Sequence, residues 1–404
     1  MLNPKNFVRN YLVADQAIVS ALNYVLLLVV ASLLGPASLS VYVVLLSICY
    51  LLINVEYSAI VSFLFTNIKR EDMESCGNNI LLHMMLTLLL IIVLLIGYIV
   101  LPLFFPTILE FGHIDMYAFI VLFVHHEYVR KFYIFTLKNK KLLMVDVFVK
   151  IAPLLYLYLF NASNVQDFIG FQVIVYIASA IFFYKNVSNF IFTGLKNFNF
   201  KGYGIHGGWL SMSVPIQWAN GNMYIYASMF TMGATFTGYL LALKNIVGLS
   251  SFISQIYENH VTPMVSQLKG VYLISTIKKE STNLLLLLLI FLAIILIGRD
   301  EIISTIYGQN YTEYSHYVLY FSIIVVFEYL HLPYQVLLRI VNRTRDMFNN
   351  LLMVFVINLT VLMYLFFYFP EYLLSIGIMM SQFFYLIFLA RSVHSRVDDF
   401  KASI

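Results

Sequence analysis

Charge is what this chain of 404 residues has least of. Asp, Glu, Lys and Arg make up 11% of it, where a soluble domain carries about 25%. With 61% hydrophobic residues and a mean hydropathy of +0.86, the scarcity excludes water as the main solvent. Cysteine is nearly absent as well. Cys49 sits in an apolar run and Cys76 in a loop-like stretch, which excludes a disulfide framework and a cysteine metal cluster. No Walker A pattern occurs, so nothing points to ATP hydrolysis by this chain. No loop carries a nucleophile, base and orienting group together, so the sequence calls for no catalytic residue, cofactor or metal. Nothing in it points to nucleic acid. The polar-basic start, Met1 to Ala14, lacks a small-residue cleavage site, so the first apolar run reads as a retained span.

What is present is a series of apolar runs of about 17–25 residues, the length that crosses a bilayer. About twelve can be placed, and they predict an all-α polytopic membrane protein. The first is expected over Ile18–Leu34, the second over Ser40–Phe63, the third over Ile80–Phe104 and the fourth over Tyr117–Phe135. The fifth is expected over Leu142–Phe160, the sixth over Phe168–Tyr184, the seventh over Leu210–Met232 and the eighth over Phe236–Asn259. Four more follow from Leu284 to Ala390.

The basic residues test that map. With the N-terminus cytoplasmic, only Arg299 of the 24 Lys and Arg residues falls in an outside loop. Lys150 and Lys244 fall within spans, and all the others lie on the inside. A one-span error would scramble the alternation, so both termini are expected in the cytoplasm, as the positive-inside rule requires. The outside loops are acidic instead, with Glu110, Asp115, Asp167, Asp300, Glu301, Glu313 and Glu371.

The two halves resemble each other at offsets near 200. Gln16, Ser20 and Asn23 of the first span match Ser213, Gln217 and Asn220 of the seventh, at spacings that put each trio on one helix face. Both spans end in a glycine turn followed by a tyrosine, Gly35-Pro36…Tyr42 and Gly233-Ala234…Tyr239. Glu56 matches Glu258, and His126-Glu127-Tyr128 matches Phe327-Glu328-Tyr329. Six spans per half predict a parallel repeat, with residues 1–190 and 209–404 as six-helix bundles joined by a cytoplasmic segment, 191–208. Such proteins usually bind cargo where the halves meet.

Ionisable groups inside a membrane are costly and need a reason. Lys244, Gly248, Ser251, Gln255 and Glu258 recur at helical spacing and predict one polar stripe along the eighth span. Lys244 then reads as a cationic contact for an anionic head group, as a lysine snorkelling outward, or as the partner of a neighbouring helix's carboxylate. Asp146 and Lys150 stand four apart and are expected to neutralise each other, with Lys150 also a candidate for the cleft. Glu127 and Arg130 form a similar local pair. Asp15, Glu56, Glu258 and Glu328 are the carboxylates that could titrate in an ion-coupled cycle, with Glu328 the deepest. Asp15 also suits a helix N-cap. His125 and His126 are adjacent, hence face different directions, and do not suggest a shared metal. Pro215 and Gly221 mark the seventh span as bent, a hinge or a static kink.

The segment Asp15-Gln16-Ala17 leading to Asn23, followed by Leu34-Gly35-Pro36-Ala37-Ser38-Leu39-Ser40-Val41-Tyr42, resembles the first-span signature of bacterial polysaccharide-repeat-unit flippases. In that family the turn usually reads Gly-Pro-x-x-Phe-Gly-x-Tyr; here Leu39 and Ser40 replace the aromatic and the second glycine. Glu127 to Arg130, and Gly238-Tyr239…Ala242-Leu243-Lys244 with the later Pro263, resemble its fourth- and eighth-span patterns. The resemblance implies the multidrug/oligosaccharidyl-lipid/polysaccharide exporter (MOP) superfamily, whose members alternate access between two six-helix bundles. It further implies a bacterial inner-membrane flippase for an undecaprenyl-pyrophosphate-linked O-antigen repeat unit. Lys244 would meet the pyrophosphate, and Gln217, Asn220 and Asn23 would bond sugar hydroxyls. Partners would be the lipid-linked oligosaccharide, membrane lipids and the polymerase and chain-length machinery of the same pathway. The rival readings are a drug/cation antiporter of the same superfamily and a membrane-embedded polymerase or glycosyltransferase.

Overall fold

The computed structural model describes residues 18–61, 64–65, 68, 72–104, 113–136, 139–160, 164–196, 208–257, 261, 265, 270–340 and 343–395. Among the described residues the chain is all-α, with twelve longer helices. Two runs, Ile18–Glu56 and Gly208–Gly248, contain 39 and 41 residues. At about 1.5 Å per residue each is roughly twice the ~30 Å hydrocarbon thickness of a bilayer, so each has to be two spans. The break is a glycine in both. Gly35 has φ 82°, and Gly233 has φ 83° with ψ 167°, a region that side chains with a Cβ rarely enter. These are the two glycines matched by the internal repeat.

The first run therefore divides into α1 (18–34), whose last turn Val30–Leu34 is a π-helix, and α2 (Gly35–Glu56). There follow α3 (Met73–Phe104), α4 (Ile114–Phe135), α5 (Asn139–Phe160) and α6 (Val165–Lys196). The second run divides into α7 (208–232) and α8 (234–248). The last four are α9 (Gly270–Ile297), α10 (Tyr317–Ile340), α11 (Thr344–Tyr368) and α12 (Leu373–His394). Between α9 and α10 lie a short helix, Arg299–Tyr307, and a 3-10 turn, Gln309–Tyr314.

The structure corrects several expected boundaries. The sixth span does not stop at Tyr184 but runs to Lys196, carrying Lys185 on a helix. The eighth is not continuous to Asn259: α8 ends at Gly248, Leu249 and Ser250 form a turn, and a separate helix spans Ser251–Ile256. Ser250 closes that turn by donating its hydroxyl to the Val247 carbonyl at 2.6 Å. The stripe from Lys244 to Glu258 is therefore interrupted after Gly248, and its helical spacing does not carry through.

Two compact units result, one of residues 1–34 and 41–211 and one of residues 35–40 and 212–404. Surface chemistry follows the bilayer. On α3, Leu88, Leu89, Ile92, Val93, Ile96 and Ile99 are exposed, a continuous apolar face that water would not tolerate and lipid solvates. By contrast α4, which carries Glu127, Arg130 and Lys131, buries His125, His126, Tyr128 and Arg130 against its neighbours. In the first unit α3 and α6 approach by backbone: a Cβ on Gly194 would lie 2.5 Å from the Gly77 carbonyl carbon. Small residues at such crossings are how membrane helices come close.

Candidate functional site

In the second unit, four helices wall a cavity of about 300 Å³. From α7 come Gln217, Asn220 and Gly221, and from α10 come Glu328, His331 and Gln335. Leu351 and Val354 of α11 and Ser381, Gln382 and Tyr385 of α12 complete it. Helices α7, α10 and α12 each present their polar side chains at spacings that share a helix face, among apolar neighbours. The lining is rich in amides and hydroxyls and holds one carboxylate.

That carboxylate, Glu328, is exposed, accepts a hydrogen bond from Gln382 Nε2 at 3.4 Å, and interacts electrostatically with half-buried Lys244 of α8. His331 donates Nε2–H to the Gln382 carbonyl at 2.9 Å and packs edge-on to Tyr385, which fixes its tautomer and ring plane. The wall beside the cavity is held by a buried amide network. Asn358 donates to Asn220 Oδ1 and to Ser381 Oγ, both at 2.9 Å, and accepts from the Tyr224 hydroxyl at 3.2 Å. Asn220 donates in turn to the Leu351 carbonyl at 3.1 Å. Asn220 is thus 6% exposed and bonded on both sides of its amide, a fastener between α7 and α11. Gln217, three residues earlier, is exposed and lines the same cavity.

The first unit concentrates its polarity in a buried charge network. Asp146 does not pair with Lys150 as the i,i+4 spacing suggested. Its Oδ2 accepts from Arg130 Nε at 2.6 Å, and its Oδ1 faces His126 Nε2 at 3.4 Å. Arg130 also reaches Glu127 at 3.6 Å, the local pair the sequence indicated. The partner of Asp146 is on another helix because burial on α4 and α5 leaves each charge facing its neighbour. Lys150 is buried, lies 5.4 Å from the centre of the Phe123 ring, and feels the charges of Glu127 and Asp146. Next to this network, Glu56 of α2 bonds His83 Nδ1 of α3, and His83 Nε2 lies 2.8 Å from His125 Nδ1 of α4.

Of the other residues singled out in the sequence, Asn23 is half-buried on α1. Pro215 and Gly221 lie within continuous α7, whose backbone leaves the helical region only at Gly233. Asp15, Gln16 and Glu258 lie outside the described residues, as do the side chains of Ser251 and Gln255. The sequence reading passed over His83 and Asn358. Each is a polar group alone in an apolar span, and that isolation was the available signal.

No family model matches the chain, and no curated protein matches it in sequence. Solved structures do match it in fold. A multidrug resistance MATE family transporter of the MOP superfamily, in an inward-facing conformation, superposes with a TM-score of 0.71 at 10% identity, covering 95% of this chain and 96% of that one. The eukaryotic MATE transporter AtDTX14 gives 0.62 at 12% identity, covering 98% and 97%. A MOP superfamily transporter from Pyrococcus furiosus, described as having a binding pocket of reversed polarity that suggests a different function, gives 0.56 at 10% identity, covering 96% and 93%. At such identities the likeness is one of fold, and the fold of this chain is that of the MATE transporters of the MOP superfamily.

Proposed function

We propose that this protein flips an undecaprenyl-pyrophosphate-linked oligosaccharide, an O-antigen repeat unit, from the cytoplasmic to the periplasmic leaflet of a bacterial inner membrane. The fold supports membrane transport by alternating access. The cargo reading rests on one observation: the second unit's cavity is lined mainly by amides and hydroxyls, with a single carboxylate among them. Sugar hydroxyls exchange hydrogen bonds with amides at little net cost, which suits a cargo that must leave again. Gln217, Gln335 and Gln382 are the contacts we assign to sugar, and Lys244 the contact for pyrophosphate. The polyprenyl tail stays in lipid. Both termini are cytoplasmic in this reading, and the pathway's polymerase and chain-length proteins are the expected neighbours. With the cytoplasm negative, an anionic head moving outward gains about 2.3 kcal/mol per charge per 100 mV, so the membrane potential alone can drive it.

A second reading, a drug/cation antiporter, is favoured by the exposure of Glu328, since a reachable carboxylate is what a cation would seek. Deleting the gene and following the lipid-linked repeat separates the readings. Loss of the lipopolysaccharide ladder with single repeats trapped on the cytoplasmic leaflet supports the flippase. Single repeats collecting on the periplasmic leaflet would mean that translocation is intact and polymerisation is lost. An unchanged ladder with raised sensitivity to cationic drugs would favour the antiporter.

A further inference from the structure

The first unit holds a chain of titratable groups that the cargo reading does not use. Glu56 is 7% exposed, His83 0% and His125 4%, and they come from three different helices. The Glu56 carboxylate can only accept, so His83 Nδ1 carries the hydrogen between them. A neutral His83 then offers Nε2 as an acceptor, to which His125 Nδ1 donates across the 2.8 Å contact, with the Thr87 hydroxyl 3.4 Å from the same nitrogen. That assignment leaves His125 Nε2 as a bare lone pair. It is buried and has no hydrogen-bond partner among the described residues. Both rings are held in place by stacking, His83 on Tyr128 at 3.7 Å and His125 on Tyr184 at 5.3 Å. Tyr128 is fixed in turn by donating to Asn79 Oδ1 at 2.8 Å.

We propose that Glu56, His83 and His125 form a two-imidazole proton relay, which takes up one proton at His125 Nε2 and stores it on Glu56. The steps balance. A bond forms from the incoming proton to His125 Nε2, and the His125 Nδ1–H passes to His83 Nε2. The His83 Nδ1–H then passes to the Glu56 carboxylate. Both rings end neutral with their tautomers exchanged, and the carboxylate ends as a neutral acid. The net change is one positive charge taken up between α4 and α2. Among the described residues, the neighbouring ionisable groups have contacts of their own. Asp146 of α5 holds Arg130 and faces His126, Glu127 reaches Arg130, and Lys150 lies against Phe123. Lys131 rests over the Tyr57 ring, and Tyr184 stacks on His125.

The relay is independent of the cargo, so its test needs none. Purified protein in lipid nanodiscs is stepped from alkaline to acid pH and followed by infrared difference spectroscopy and a pH-indicator dye. Wild type is expected to gain a protonated-carboxyl band and to take up one proton per chain more than Glu56→Gln does. Glu56→Gln, which still accepts from His83 Nδ1, loses that band and that proton. His125→Phe, which keeps the stack on Tyr184, slows the uptake tenfold or more. A carboxyl band unaffected by Glu56→Gln, or uptake in His125→Phe at the wild-type rate, would overturn the relay. If either variant fails to fold, nitrogen-15 histidine spectra of wild type decide. His125 must carry its hydrogen on Nδ1 at alkaline pH and on Nε2 after acidification. An Nε2–H form at alkaline pH, or an imidazolium beside an ionised Glu56 in acid, rejects the proposal.

Discussion

Replacing Asp146 by alanine removes the buried carboxylate on which the first unit's charge network turns. The Asp146 side chain is 1% exposed and that of Arg130 7%, so after Asp146→Ala the guanidinium would stay buried. Losing one partner of a buried ion pair costs about 3–5 kcal/mol, because the survivor keeps its desolvation penalty without its counter-charge. Arg130 retains Glu127 at 3.6 Å, which sets the expectation near the lower end, about 3 kcal/mol. At about 1.4 kcal/mol per power of ten, that is roughly a hundredfold shift in the unfolding equilibrium. The double variant Arg130→Met/Asp146→Leu removes both charges and is expected to recover more than half of the loss, since apolar replacement of a whole pair is often near neutral. Titration with a denaturing detergent in mixed micelles, followed by circular dichroism, measures both. Tryptophan fluorescence would report on α7, which carries both tryptophans, Trp209 and Trp218, and not on α4 or α5 where the pair lies. A folded Asp146→Ala protein within about 1 kcal/mol of wild type would refute the reasoning and make the pair incidental to stability.

Other outcomes follow from single contacts. Gly233→Ala is expected to cost about 1–3 kcal/mol, and Gly233→Asn to rescue little of it, because ψ 167° lies outside the left-handed helical region that asparagine tolerates. Gly377→Ala would put a Cβ 2.3 Å from the fully buried Tyr224 ring, an overpacking worth about 1–3 kcal/mol. Gly221→Ala, which would meet nothing within 4 Å inside α7, is expected to stabilise by up to about 1 kcal/mol and serves as the opposite-sign control in the same assay. Lys244→Met is expected to reduce delivery of the lipid-linked repeat by tenfold or more in a leaflet-specific assay. Cation efflux on expression that Lys244→Met leaves unchanged and Glu328→Gln abolishes would turn the reading to the antiporter.

Much of the architecture could be read from the chain because the bilayer imposes it. Length and hydropathy limit a spanning segment to a helix, and the matched glycines at 35 and 233 show where each half begins its turn. The helix break after Gly248 escaped because Leu249 and Ser250 carry no strong breaker, and polar spacing across them still imitates a helical face. Asp146 escaped for another reason. Spacing rules see partners on the same helix, four residues away, whereas Arg130 reaches it from α4, 16 residues back in the chain. Asn220 showed the converse. Its position on a polar face was legible, but not that Asn358, 138 residues on, would already occupy its carbonyl. Gln217 kept its access because no such partner meets it in the packing.

The glycine breaks at 35 and 233 also bear on how such a protein can be mapped. Most adjoining spans are separated by residues that can be cut, tagged or labelled from water, but here one residue stands where a loop would be. An epitope or reporter inserted at either position must enter the break itself, within a run of 39 or 41 residues that has no loop, and it would disturb the turn it was meant to report. A count taken from tolerated insertions would therefore fall two short of the twelve longer helices among the described residues. The two missing from that count would be the ones that open each half.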